Sequence, residues 1–167
     1  MKIKAKISFK EYRNLLFMLT YRKPILKILL CVAFAMVVWI LGYYLHFLPV
    51  PKPKIYQYIT LILIAVVQPI TIYLIIKRNY ESGNHLKEPL EIEVTRDVIK
   101  VQADSFYMEI KWDKLFKIDE HSDWFLIYQN TLSAILIPKK DLDNTQLEEF
   151  KRLLTSVPRV PIHFKKG

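Results

Sequence analysis

Cysteine and glycine are both scarce: one Cys and three Gly in 167 residues. A lone Cys31, inside an apolar run, excludes an internal disulfide. So few glycines exclude flexible low-complexity linkers, and neither GxGxxG nor a Walker loop is present to cradle a phosphate. GxSxG, HExxH and CxxC are missing too, as is any internal repeat. Acid is missing from one half of the chain. Residues 1–78 hold twelve Lys/Arg and a single acid, Glu11, whereas residues 79–167 hold slightly more acid than base. The formal charge of +9 therefore sits around the apolar runs and not on a folded basic domain. A nucleic-acid binder clusters its cations on such a domain, so nucleic acid is not an expected partner.

What is abundant is hydrocarbon. The chain carries no formal charge from Ile28 to Leu48 or from Ile55 to Ile76. At about 1.5 Å per residue each run covers roughly 30 Å, the thickness of a bilayer's hydrocarbon core. Only a helix satisfies its own backbone there, so the β-branched content of the second run does not argue for a strand. The first run outlasts the core of a signal peptide, although Ala33-Phe34-Ala35 faintly resembles a cleavage site. The chain is therefore expected to be membrane α+β, with spans over 25–48 and 55–76 inside a hairpin of residues 24–78.

Pro49-Val-Pro-Lys-Pro-Lys54 is short and proline-stiffened, which makes the helices antiparallel neighbours. Arg13, Arg22, Lys23, Lys27, Lys77 and Arg78 flank one side; only Lys52 and Lys54 flank the other. The excess of Lys/Arg marks the cytoplasmic side, so both termini are expected there and 49–54 forms the external loop. Tyrosines gather near the span ends, as interfacial aromatics do. Mid-span, Gln68-Pro69 is polar and helix-breaking. The proline removes a backbone bond and the amide can bond across to a neighbouring helix, so the pair reads as membrane-helix packing. No mid-span acid or lysine marks an ion path.

The flanking segments read as a cytoplasmic fold. Residues 1–23 offer an alternating strand at Lys2–Ile7, a capping box at Ser8-Phe-Lys-Glu11 and an amphipathic helix. Residues 79–89 read as a polar linker. Residues 90–167 then alternate through Glu91–Thr95, Asp97–Gln102, Phe106–Trp112, Leu115–Glu120, Trp124–Gln129 and Leu132–Ile137, an antiparallel meander. A second capping box, Asp143-Asn-Thr-Gln146, starts a helix with Leu147, Phe150, Leu154 and Val157 on one stripe, ended by Pro158. Six strands bury a thin core and leave edges open. Lys2–Ile7 would supply a seventh, with the hairpin inserted after it. Seven strands and a C-terminal helix are the inventory of a pleckstrin-homology-like barrel.

In its strand and helix Ile7-Ser-Phe-Lys-Glu-Tyr12, its two spans, and the segments Tyr107–Trp112, Leu115–Glu120, Trp124–Tyr128, Ile135–Lys140 and Leu147–Phe150, the chain resembles the YcxB-like family of bacterial membrane proteins. The resemblance implies a membrane-anchored pleckstrin-homology-like domain in the bacterial plasma (inner) membrane. It implies no established activity and carries over no functional residue.

No residue set calls for catalysis, a cofactor or a metal. Asp119, Glu120, His121 and Asp123 fall at a strand end and turn, where such residues are ordinary. Trp112, Phe116, Trp124, Phe125 and Tyr128 alternate as barrel core does. Lys114, Lys117, Lys139 and Lys140 are the candidate contacts for a lipid headgroup or partner, against the plainer reading of solvated surface. The leading expectation is a non-catalytic binding or regulatory module that meets the bilayer and docks a protein, a headgroup or another copy of itself. The alternative is an accessory subunit of a transporter, or an immunity or stress-response membrane protein.

Overall fold

The computed structural model describes residues 1–131, 133–156 and 160–164, with the side chains of Asn84 and His85 left out. Expectations for Leu132, Val157 and Pro158 lie outside the described residues. The chain forms two units. One comprises Met1–Ser8 with Gly83–Gly167, the other Phe9–Ser82.

In the first unit, β1 (Lys2–Ala5) pairs antiparallel with β2 (Leu90–Val94), Ile3 opposite Ile92 and Ala5 opposite Leu90. Its inward residues Ile3 and Ala5 are buried, while Lys4 points out to Glu91 at 3.0 Å. β3 (Val98–Gln102) and β4 (Tyr107–Lys111) complete a sheet in the order β1-β2-β3-β4. Period-two alternation explains each strand: Leu90, Ile92, Val94, Ile99 and Val101 face the core, and Glu91, Lys100 and Glu109 sit between them. The β2–β3 turn is tied by Thr95, whose hydroxyl accepts from the Val98 N–H at 3.1 Å.

The meander breaks after β4. Trp112, expected to end that strand, opens a 3-10 turn (Trp112–Lys114) and is buried, its indole N–H donating to the Thr95 carbonyl at 3.0 Å. The chain then enters a second sheet in the order β7-β6-β5-β8, from β5 (Lys117–Glu120), β6 (Trp124–Tyr128), β7 (Ala134–Pro138) and β8 (Ile162–His163). Among the described residues the strands thus lie in two four-stranded sheets, and neither closes into the expected barrel. β8 was not expected: two residues are too few to carry a period, and it pairs parallel to β5.

β6 is apolar without alternation and Trp124–Ile127 are all buried, as befits a central strand covered on both faces. Helix α6 (Asn144–Ser156) supplies one cover, with Phe150 meeting Phe125 edge-on at 4.9 Å between ring centroids. Its start is the expected capping box. The Gln146 N–H donates to Asp143 Oδ1 (2.7 Å) and the Asp143 N–H to Gln146 Oε1 (3.1 Å). Of the aromatics expected in the core, Trp112, Trp124 and Phe125 are buried and Tyr128 half-buried, but Phe116 is exposed. It lies in the irregular link before β5, where alternation does not govern.

The second unit holds α1 (Phe9–Tyr21) and two helices long and apolar enough to cross a membrane, α2 (Pro24–Tyr44) and the run Ile55–Ser82. The latter comprises α3 (Ile55–Ile62), a π turn at Leu63–Val67 and α4 (Gln68–Ser82). α1 packs on α4, Phe9 meeting Tyr73 and Tyr80, and Tyr12 meeting Tyr80. α2 starts with Pro24 in its first turn, where a missing N–H costs nothing.

α2 stops at Tyr44, short of Leu48. His46 adopts a left-handed φ of 56°, and the Leu48 N–H folds back to the Gly42 carbonyl at 3.4 Å. A Cβ on Gly42 would stand 2.7 Å from Leu48 Cδ1, so glycine permits this return. The second long helix overruns its expected end and absorbs residues 79–82. Short α5 (Asn84–Lys87) follows, so most of the expected polar linker 79–89 is helical.

Candidate docking site

Asp119 and Glu120 belong to the cluster at the end of β5 that is expected to be solvated. Instead they anchor an ionic network. Glu120 leaves only 7% of its side chain exposed; Lys139 Nζ lies 2.6 Å from its Oε1 and Lys151 Nζ 3.5 Å. Lys139 also stands over the Phe125 ring at 4.8 Å from its centre. Next to it in sequence, Asp119 is held by Lys117 and by His163 Nδ1 at 2.9 Å, which fastens β8 to β5. Burial pushes the Tyr128 hydroxyl above its ordinary pKa; Asp119 adds to the shift and Lys117 opposes it.

This arrangement sorts the four candidate lysines. Lys117 and Lys139 neutralise Asp119 and Glu120, so their charge is already spent inside the domain. Lys114 and Lys140 are exposed. The four do not form a cluster of uncommitted cations. Glu120 is the last residue of β5, at the strand end expected for it, but alternation had no means of showing that Lys139 and Lys151 converge on it. Among the described residues no three His, Cys, Asp or Glu gather as a metal site.

Gln68 and Pro69 sit where the π turn gives way to α4. The Gln68 N–H reaches back five residues to the Leu63 carbonyl, and Thr71 Oγ1 donates to the Val67 carbonyl at 2.8 Å. The ladder is thus rerouted just before the proline, a recurrent response to a lost donor. The Gln68 amide is buried with no hydrogen-bond partner for either atom. The cross-helix bond expected of it is not made.

What sequence reasoning missed is a cavity of about 400 Å³ in the first unit. Ser133, Ala134, Ile135 and Leu136 line one side of it; Leu90, Val101 and Met108 of the other sheet, with Phe106, line another. Ile7 and Leu86 contribute apolar surface, while Ser105, Gln129 and Ser133 contribute the polar atoms. Gln129 Nε2 reaches Met108 Sδ at 3.2 Å, and the Ser105 N–H donates to Glu88 at 2.8 Å. No signal in one sequence joins residues so far apart; the only hint was that an open sheet must leave edges.

No curated protein and no solved structure matches the chain. The model of the YcxB-like protein family matches residues 94–154, from the last residue of β2 into α6. Over that stretch, which holds β3 to β7 and the cavity's β7 side, the likeness read from the sequence is shown: the chain carries a YcxB-like region.

Proposed function

We propose that the chain is a membrane-anchored docking module of a bacterial plasma membrane. The two long helices cross the bilayer as a hairpin, both termini face the cytoplasm, and the β unit binds a protein without catalysing a reaction. The observation that carries the reading is the pairing of Ala5 with Leu90. Everything between them leaves one sheet and returns to the next strand of the same sheet, so a two-span insertion must bring its ends back to one side. The Lys/Arg excess at those ends agrees with the cytoplasmic side. A four-stranded sheet, three further antiparallel strands and a helix also follow the element order of a pleckstrin-homology-like domain. Commitment of Lys117 and Lys139 to internal carboxylates favours a protein over a headgroup.

The test is native mass measurement of the full chain purified from its own membranes in mild detergent. A second protein at fixed stoichiometry, whose complex re-forms from purified components, is the expected result. Recovery of the chain alone, or with lipid only, would contradict docking of a foreign protein.

A further inference from the structure

We infer that the cavity beside β7 is a groove for an extended, uncharged stretch of peptide, bound as an added strand. The inference rests on the docking reading above and gives it a site. β7 lies at the edge of its sheet, with β6 its only described neighbour. Two bonds fix its phase: the Gln129 N–H donates to the Ser133 carbonyl (3.0 Å) and the Lys139 N–H to the Asp123 carbonyl (2.8 Å). Bonded pairs alternate along an antiparallel ladder. Counting from either end through the Ile127–Ile135 and Phe125–Ile137 pairs turns Ile135 and Ile137 toward β6. The N–H and C=O groups of Ala134 and Leu136 therefore point along the free edge, and both residues line the cavity.

Charge then narrows the occupant. None of the lining residues is ionisable, so a side chain entering between Leu90, Val101, Phe106 and Met108 must itself be uncharged. The volume of about 400 Å³ lies in the usual ligand-pocket range of roughly 300–1,000 Å³ and suits a large apolar side chain. A lipid acyl chain would fit the walls but not the edge. Covering Ala134 and Leu136 with hydrocarbon strands backbone donors and acceptors without partners. An added strand pairs them and sends alternate side chains into the cavity.

The test uses the full chain in lipid nanodiscs and a capped heptapeptide alternating threonine with valine around a central phenylalanine. Controls are the same composition in blocked order, and the alternating peptide N-methylated at every second residue, once in each of the two phases. Calorimetric binding is expected for the alternating peptide, at least tenfold weaker for the blocked peptide and for one of the two methylated phases. Leu136→Pro, which removes an outward N–H and leaves the β6 ladder intact, should weaken it by a similar factor; Met108→Trp should do so by filling the cavity. Equal binding of the blocked peptide, no loss from either methylated phase, or no binding at millimolar peptide would overturn the inference. Both peptide controls use the native chain, so misfolding of a variant does not shelter it. If a natural partner is found and its binding survives Leu136→Pro, this site is wrong and docking stands; if native mass shows no partner, the docking reading itself falls.

Discussion

The two units use the same apolar residues in opposite ways. In the β unit Ile92, Ile99, Ile118, Leu126, Ile127, Phe125 and Phe150 are at most 1% exposed, and its outward positions carry charge. In the helical unit Ile25, Phe34, Leu45, Ile55, Leu74 and Ile75 are more than half exposed, and Ala33, Gly42 and Ile64 are among the few span residues that are buried. Burial of apolar surface drives folding only against water. The β unit turns its apolar side chains inward, away from water; the two long helices turn theirs outward and are long and apolar enough to cross a membrane. The contrast is what favours the bilayer over a helical core, since a soluble bundle would seal its leucines as the sheets do.

Removing β1 should break this contrast most. Deleting residues 2–7 takes Ile3, Ala5 and Ile7 from the core and bares the edge of β2. With two isoleucines at about 2–5 kcal/mol each, the β unit should lose protease resistance while the hairpin stays in the membrane fraction. Phe150→Ala comes next. It empties the contact with Phe125 and should destabilise the β unit by about 3–5 kcal/mol, read as a lower denaturation midpoint. Glu120→Ala leaves Lys139 half-buried beside an apolar ring and should cost about 1–3 kcal/mol; Lys151→Ala, at the longer distance, should cost less. Gln68→Leu should cost least. It replaces a buried, unpaired amide and should be neutral or stabilise the hairpin by up to about 1 kcal/mol, measured by unfolding in mixed micelles.

The sequence was legible wherever a period had room to run. Alternation placed β1 to β5 and β7 to within a few residues, an apolar run between turns placed β6, and two complementary side chains marked the start of α6 at Asp143 and Gln146. It failed where a tertiary contact decides. The Gly42–Leu48 fold-back shortened α2, and the second long helix ran on to Ser82. β8 exists because His163 and Pro161 reach β5, through the Asp119 carboxylate and the Ile118 N–H. The candidate site was the least legible part. Lysine positions show charge, but not that Lys117 and Lys139 are already paired, and strand order alone reveals which edge of a sheet is free.

Cys31 tests the central claim most directly, because it is the sole cysteine and lies exposed on α2. The measurement is labelling by a membrane-impermeant maleimide in sealed right-side-out vesicles and after lysis, for the native chain and for Lys52→Cys and Ser122→Cys in a Cys31→Ser background. Lipid should shield Cys31 before and after lysis. Lys52→Cys should label in sealed vesicles and Ser122→Cys only once they are opened. Fast labelling of Cys31 after lysis, or labelling of Lys52→Cys and Ser122→Cys from the same side, would contradict a hairpin that crosses the bilayer with the β unit in the cytoplasm.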